Sequence, residues 1–297
     1  MYILRLKLYK KEGKGQMSLR TDLALEAKTE ISGGENGIIK EIKENENIKT
    51  TVIKVVSDEG ERLINKPQGT YITVEFGDII STADFTPLKS EIKRVLSELL
   101  SVNGTVLVAG LGNNDITPDA VGPLTAGGIL ATRHIAGAFA ESIGLKGLKS
   151  VAVITPDVLG KTGIETAELI RGTADKIKPA AVIAVDALAA RDPNRLFKTV
   201  QLTNSGISPG SGVKNRRGEI SEKTIGVPVI AVGVPTVTDA EAIAYSLTGT
   251  EPETDSGMFV TPKEVDMLCG KISKILSETL NEFLQPEIDA DIIEELV

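Results

Sequence analysis

Tryptophan is missing from this 297-residue sequence, aromatic residues make up only 3% of it, and it holds one cysteine and one histidine. The lone Cys269 excludes an internal disulfide and fits a reducing compartment. One histidine and one cysteine are too few for a zinc site of the usual composition, so no metal and no cofactor is expected. Scarce stacking side chains and a net charge of −8 leave neither a platform nor a basic face for nucleic acid. No apolar run approaches the ~20 residues that cross a bilayer. The opening Met1-Tyr-Ile-Leu-Arg-Leu-Lys-Leu-Tyr9 is too short and too interrupted by charge for a secretory signal. A cytoplasmic protein with no membrane or direct nucleic-acid partner is expected. What the chain does have is 41% hydrophobic composition, enough for a large core.

The rhythm of the chain changes twice. Residues 1–36 are basic and then polar, and Met17 offers an alternative start. From Gly37 to Phe76 the runs Lys40-Glu-Ile-Lys, Thr51-Val-Ile-Lys-Val-Val and Thr70-Tyr-Ile-Thr-Val-Glu-Phe, broken by polar turns, predict a small antiparallel β meander. Leu88, Ile92, Val95, Leu96 and Leu99 recur at helical spacing. After Gly104 strands are expected at 105–110, 150–155, 181–186 and 228–233, with helices near 121–136, 163–178 and 239–247. Such alternation predicts an α/β fold: a mostly parallel central sheet flanked by helices on both faces. Thr261-Pro-Lys-Glu264 reads as a capping box ahead of an amphipathic helix carrying Val265, Leu268, Ile272, Ile275 and Leu276.

Two apolar strands lead into aspartates. One is Val106-Leu-Val-Ala-Gly-Leu-Gly-Asn-Asn-Asp-Ile-Thr-Pro-Asp119, the other Val182-Ile-Ala-Val-Asp186. Ligands of open parallel sheets collect beyond the carboxyl ends of the strands. Two carboxylates delivered there can share a proton and activate water. Singly, Asp119 can just as well cap a helix, and Asp186 can satisfy amides at a strand end. Gly110-Leu-Gly112-Asn-Asn-Asp115 resembles a dinucleotide turn, but Asp115 replaces the third glycine and would repel a pyrophosphate. Asn204 to Arg217 is a small-residue loop with a basic end, either plain surface or a wall admitting an extended peptide. Ser211 within it sits in no nucleophile elbow. His134 is expected to be structural or a substrate-side contact, and Cys269 a buried apolar group.

Long ordered stretches of the chain from about Ser18 onward resemble the germination protease family of spore-forming bacteria. They include Arg20-Thr-Asp-Leu-Ala-Leu-Glu-Ala27, Gly110 to Pro123, Thr132-Arg-His134, Pro156 to Thr166, Ala184 to Arg191, Asn204 to Ser221, Gly226 to Ala240 and Val260 to Asp266. The resemblance implies a fold related to hydrogenase-maturation proteases and an endopeptidase made as a self-trimming zymogen. Its substrates would be small acid-soluble spore proteins, degraded during germination. It also implies a homotetramer in the developing spore core, catalytic residues Asp119 and Asp186, and site-lining residues Asn113, Thr117, His134 and Ser211. Self-processing is expected between Asp22 and Leu23, with residues 1–22 a propeptide, 23–36 a flexible arm and 37–297 the catalytic domain. Acid should favour the cut by protonating Asp22 and Glu26, easing their repulsion with the site. Longer family members carry an insertion between the positions of Tyr245 and Met258 that is shortened here. Two other readings stay open: a metal-dependent peptidase of the hydrogenase-maturation type with both aspartates as ligands, and a non-catalytic anion-binding module.

Overall fold

The computed structural model describes residues 21–27, 37–45, 47–101, 103–135, 140, 142, 145, 147–210, 217–250 and 256–297. Its centre is one nine-stranded sheet in the order β1-β2-β3-β7-β8-β6-β4-β5, with β9 paired to β8. The strands are β1 Ile38–Asn45, β2 Ile48–Val55, β3 Gly69–Glu75, β4 Val106–Gly110, β5 Val151–Ile154, β6 Ala181–Ala189, β7 Thr199–Thr203, β8 Val229–Asp239 and β9 Phe259–Val260. Strands β5, β4, β6 and β8 run parallel, whereas β1, β2, β3 and β7 are joined antiparallel, and β7 also meets β8 antiparallel.

The sheet is therefore mixed rather than mostly parallel, and the meander is not a separate body. Strand β7 fuses the two halves: Thr73 pairs with Gln201 on one side, and Gln201 with Gly233 on the other. Both of its edges are consumed in pairing, and every one of its residues is buried.

Helices α1 Asp58–Ile64, α2 Thr86–Leu99, α3 Val121–Gly127, α4 Leu159–Thr162, α5 Thr166–Ile177, α6 Glu222–Ile225, α7 Ala240–Thr248, α8 Val265–Leu284 and α9 Ala290–Leu296 complete the described elements. Strand alternation sorts the core into two faces. Val106, Val108, Ile183 and Val185 pack with α2, α3 and α8, while Leu107, Ala109, Val182 and Ala184 pack with Ile170 and Ala174 of α5. In α8 the expected stripe is buried at Leu268, Ile272, Ile275 and Leu276, with Cys269 beside it.

Three expectations are corrected by tertiary partners. Helix α3 stops at Gly127 instead of reaching 136, because Asn281 of α8 supplies what the next helical turn would have given. Its side chain accepts from Leu130 N–H at 2.9 Å and donates to the Gly128 carbonyl at 2.8 Å. No capping box forms at Thr261, whose hydroxyl donates to the Thr236 carbonyl at 2.8 Å once β9 draws it against β8. Residues 23–27 do not begin a flexible arm: Leu23 is 0% and Ala24 1% exposed, and Ala24–Glu26 form a 3-10 turn.

Candidate active site

Strand β4 lies between β5 and β6, and the onward connections of β4 and β6 leave in opposite directions along the sheet. The crevice between their carboxyl ends is where such sheets collect ligands. Both aspartates are delivered there.

The chain leaves β4 at Gly110, and Leu111 N–H donates to the Val185 carbonyl of β6 at 2.8 Å. Gly112 then turns with φ of +110°, a region that disfavours side chains. A Cβ on it would lie 2.1 Å from the Asp119 carbonyl oxygen. Asn113 N–H reaches that carbonyl at 3.2 Å and the Asp119 carboxylate Oδ2 at 2.8 Å. Thr117–Asp119 form a 3-10 turn running into α3. Gly122 presses α3 onto the crevice; a Cβ there would lie 2.1 Å from the Leu111 carbonyl and 2.4 Å from that of Val185. Helix α8 braces the turn from behind, where Cys269 Sγ donates to the Thr117 carbonyl at 3.1 Å and Ser273 Oγ to that of Val121 at 3.2 Å. Burial, with Asp266 nearby, pushes the Cys269 thiol up to about 12, so it is a buried brace and no nucleophile.

Asp186 lies within β6, which continues to Ala189 rather than ending at 186. Gly110, the last residue of β4, pairs with Val185, so Asp186 emerges where its neighbouring strand stops. It is 4% exposed, and its Oδ1 accepts from Ala187 N–H at 3.0 Å. Burial drives its pKa well above the ordinary carboxylate value, the nearby charges of Asp119 and then Asp22 add to this, and the Ala187 amide opposes it. Burial also pushes Asp119 up to about 6, with the Asn113 amide opposing and Asp157 reinforcing. The charge of Asp119 is felt at Asp186, which is the more deeply buried of the two. Asp157 stands past β5 at φ of +61°, tied to Lys161 at 3.2 Å, while Lys161 also pairs with Asp115 at 2.7 Å.

The expected processing segment is docked against this edge. Asp22 N–H donates to the Ala189 carbonyl at 2.9 Å, and Ala189 N–H returns a bond to Asp22 Oδ2 at 2.9 Å. Leu23 sinks into the main core beside the sheet. Glu26 does not face the aspartates as expected: its carboxylate receives Arg191 N–H at 2.6 Å and Asp192 N–H at 2.9 Å, with Arg195 Nε at 3.2 Å. Acid has no repulsion to relieve at that position.

Of the site residues expected from sequence, Asp119, Asn113 and Thr117 share one turn, with Asp186 and Asp22 beside it. His134 is exposed in a turn after Thr132 and Arg133, whose N–H groups both bond the Val151 carbonyl. That is the amino end of β5, the edge away from the aspartates. Ser211 lies outside the described residues. Sequence reasoning missed Asp157, Lys66 and Gln201 as neighbours of the site. Asp157 carries the same signal as the other two, an acid just past an apolar strand; Lys66 and Gln201 carry none. Among the described residues no group of three or more His, Cys, Asp or Glu side chains is arranged to hold a metal ion. No helix among them is long and apolar enough to cross a membrane.

A carboxylate-lined edge on an α/β sheet is thus the chemical feature of the molecule. The germination protease family matches residues 17–248. A germination protease of Clostridium acetobutylicum is 39% identical over 325 residues, covering 94% of this chain and 99% of the relative. One from Clostridium tetani is 41% identical, covering 93% and 98%. The chain belongs to the germination protease family, and it is a protease. The 325 aligned positions exceed the 297 residues of this chain, so the Clostridium acetobutylicum relative carries stretches without counterpart here. Among solved structures, the NiFe hydrogenase maturation protease HycI of Thermococcus kodakarensis aligns over 63% of this chain and 98% of its own, at TM-score 0.37 and 16% identity, a likeness too slight to bear on the site.

Proposed function

We propose that this protein is a self-processing endopeptidase of spore germination that hydrolyses small acid-soluble spore proteins through Asp119 and Asp186. The observation that carries the mechanism is the pair of carboxylates at one sheet crevice, both pushed upward by burial. In this reading Asp119 works as the ionised carboxylate and the more deeply buried Asp186 as the protonated acid. Asp119 then accepts a proton from the water that attacks the scissile carbonyl carbon, and Asp186 gives its proton to the departing amine nitrogen. Pairs of acids separated by their surroundings divide the two roles in this way.

Asp119→Asn and Asp186→Asn should each lose about 10²–10⁴-fold in turnover while folding normally, since general acid–base groups contribute on that scale. A folded variant with near wild-type turnover sinks the mechanism. Activity surviving exhaustive chelation supports water activation by carboxylates alone; loss restored by a divalent cation favours the metallopeptidase instead.

The Asp22–Leu23 bond is our candidate for the zymogen cut. In its favour are the burial of Leu23 and the charge of Asp22 felt at Asp186. N-terminal sequencing of the incubated chain reads it out. A homotetramer in the spore core follows by family resemblance, and light scattering tests the subunit number.

A further inference from the structure

Two side chains converge on the main-chain oxygen of Asp22. Lys66 Nζ stands 3.0 Å from it and 3.4 Å from the Thr21 carbonyl, and Gln201 Nε2 donates to it at 3.1 Å. The other end of the Gln201 amide accepts from Ala24 N–H at 2.7 Å. One glutamine therefore grips the backbone on both sides of Leu23, whose side chain is fully buried. Lys66 is brought in by the left-handed Asn65 that ends α1, just ahead of β3, and Gln201 by β7, the strand paired with β3. An exposed anchoring lysine would stay fully hydrated. Burial instead pulls Lys66 below the usual lysine range, while Asp22 and Glu26 pull it back.

On the premise that Asp22–Leu23 is the bond the chain cuts, we infer that Lys66 and Gln201 form the oxyanion-binding clamp for that cleavage. Water adds to the Asp22 carbonyl carbon and passes a proton to the carboxylate base. The carbonyl electron pair moves onto oxygen, where the ammonium of Lys66 and the amide N–H of Gln201 receive it. Collapse of that oxyanion breaks the carbon–nitrogen bond as the acid protonates the Leu23 nitrogen. The products are the Asp22 carboxyl group and the Leu23 amine, and no other reactant is consumed. Donors preset on an oxygen that gains charge act more strongly on the transition state than on the resting bond.

The test uses full-length precursors carrying Lys66→Met or Gln201→Glu, with wild type alongside. Gln201→Glu keeps an acceptor for Ala24 N–H and removes the donor to Asp22. Processing is followed by N-terminal sequencing and mass over time, and docking of residues 21–27 by resistance to an added protease before any cut. Each variant should process about 10²–10³-fold more slowly, the scale seen for a lost oxyanion donor, with docking unchanged. Lys66→Arg should recover part of the loss. Processing of Lys66→Met within threefold of wild type overturns the clamp. So does a rate loss that appears only together with undocking, for then the pair is an anchor. If wild type itself is never cut at Asp22–Leu23, the failure lies in the self-processing premise and not in the clamp chemistry.

Discussion

Asp186 sits where a charge is costly, and its position can be read as stability given up for function. Asp186→Asn keeps the shape and removes the need to hold a proton in a dry crevice. The variant should be inactive yet melt higher than wild type at neutral pH, by scanning calorimetry; a lower melting point would mean that the carboxyl group makes contacts worth more than its burial costs. Gly112 is the opposite case, a residue with no chemistry whose substitution should be severe. In Gly112→Ala the new methyl meets the Asp119 carbonyl at 2.1 Å and the backbone is held at φ of +110°. Loss of activity well beyond loss of stability is expected, measured as turnover against urea midpoint. Cys269 should resist alkylation in the folded protein, because its thiol is buried and its pKa is raised to about 12; labelling under native conditions reads this directly.

Segments 21–27, α3 and α8 act together at the scale of elements. Helix α8 packs on α3, and α3 carries the Asp119 turn, so trimming the α8 stripe should reach the site indirectly. Ile272→Ala should cost about 2–5 kcal/mol, the usual range for a fully buried aliphatic truncation, checked by denaturant unfolding. The docked segment offers a sharper test. Leu23→Lys places a charge in the main core, so the precursor should lose docking and processing at that bond. A Leu23→Lys chain still cut between residues 22 and 23 would contradict the docked geometry.

For the whole molecule, both site carboxylates bind protons more tightly folded than unfolded. Stability from this source is complete below the ordinary carboxylate pKa of about 4 and is lost as pH rises through about 6 and beyond. Glu91 behaves oppositely: its hydrogen bond from Arg94 holds it below its ordinary value, and its contribution is lost only as pH falls through that lower range. Urea midpoints should therefore decline from mildly acidic to neutral pH, and the Asp119→Asn/Asp186→Asn double variant should flatten that decline. Turnover should rise through about pH 6 as Asp119 ionises, then fall when Asp186 gives up its proton.

By itself the sequence determined the local pieces. Continuous apolar runs made β4, β6 and β8 legible as covered strands, helical spacing gave α2 and α8, and the two aspartates stood out because each follows such a strand. What only tertiary structure decided was adjacency. Strand β7 is only five residues long and polar at every other position, so it reads as a half-exposed strand and does not announce that it would be buried on both faces and weld the meander to the parallel half. Helix α3 ends where Asn281, more than 150 positions away, takes over its hydrogen bonds. His134 was a conspicuous residue that the fold left on the far edge, whereas Lys66 and Gln201 were inconspicuous ones that it brought onto a single carbonyl oxygen. Periodicity records which face of an element is dry, but long-range pairing energies choose which dry faces meet.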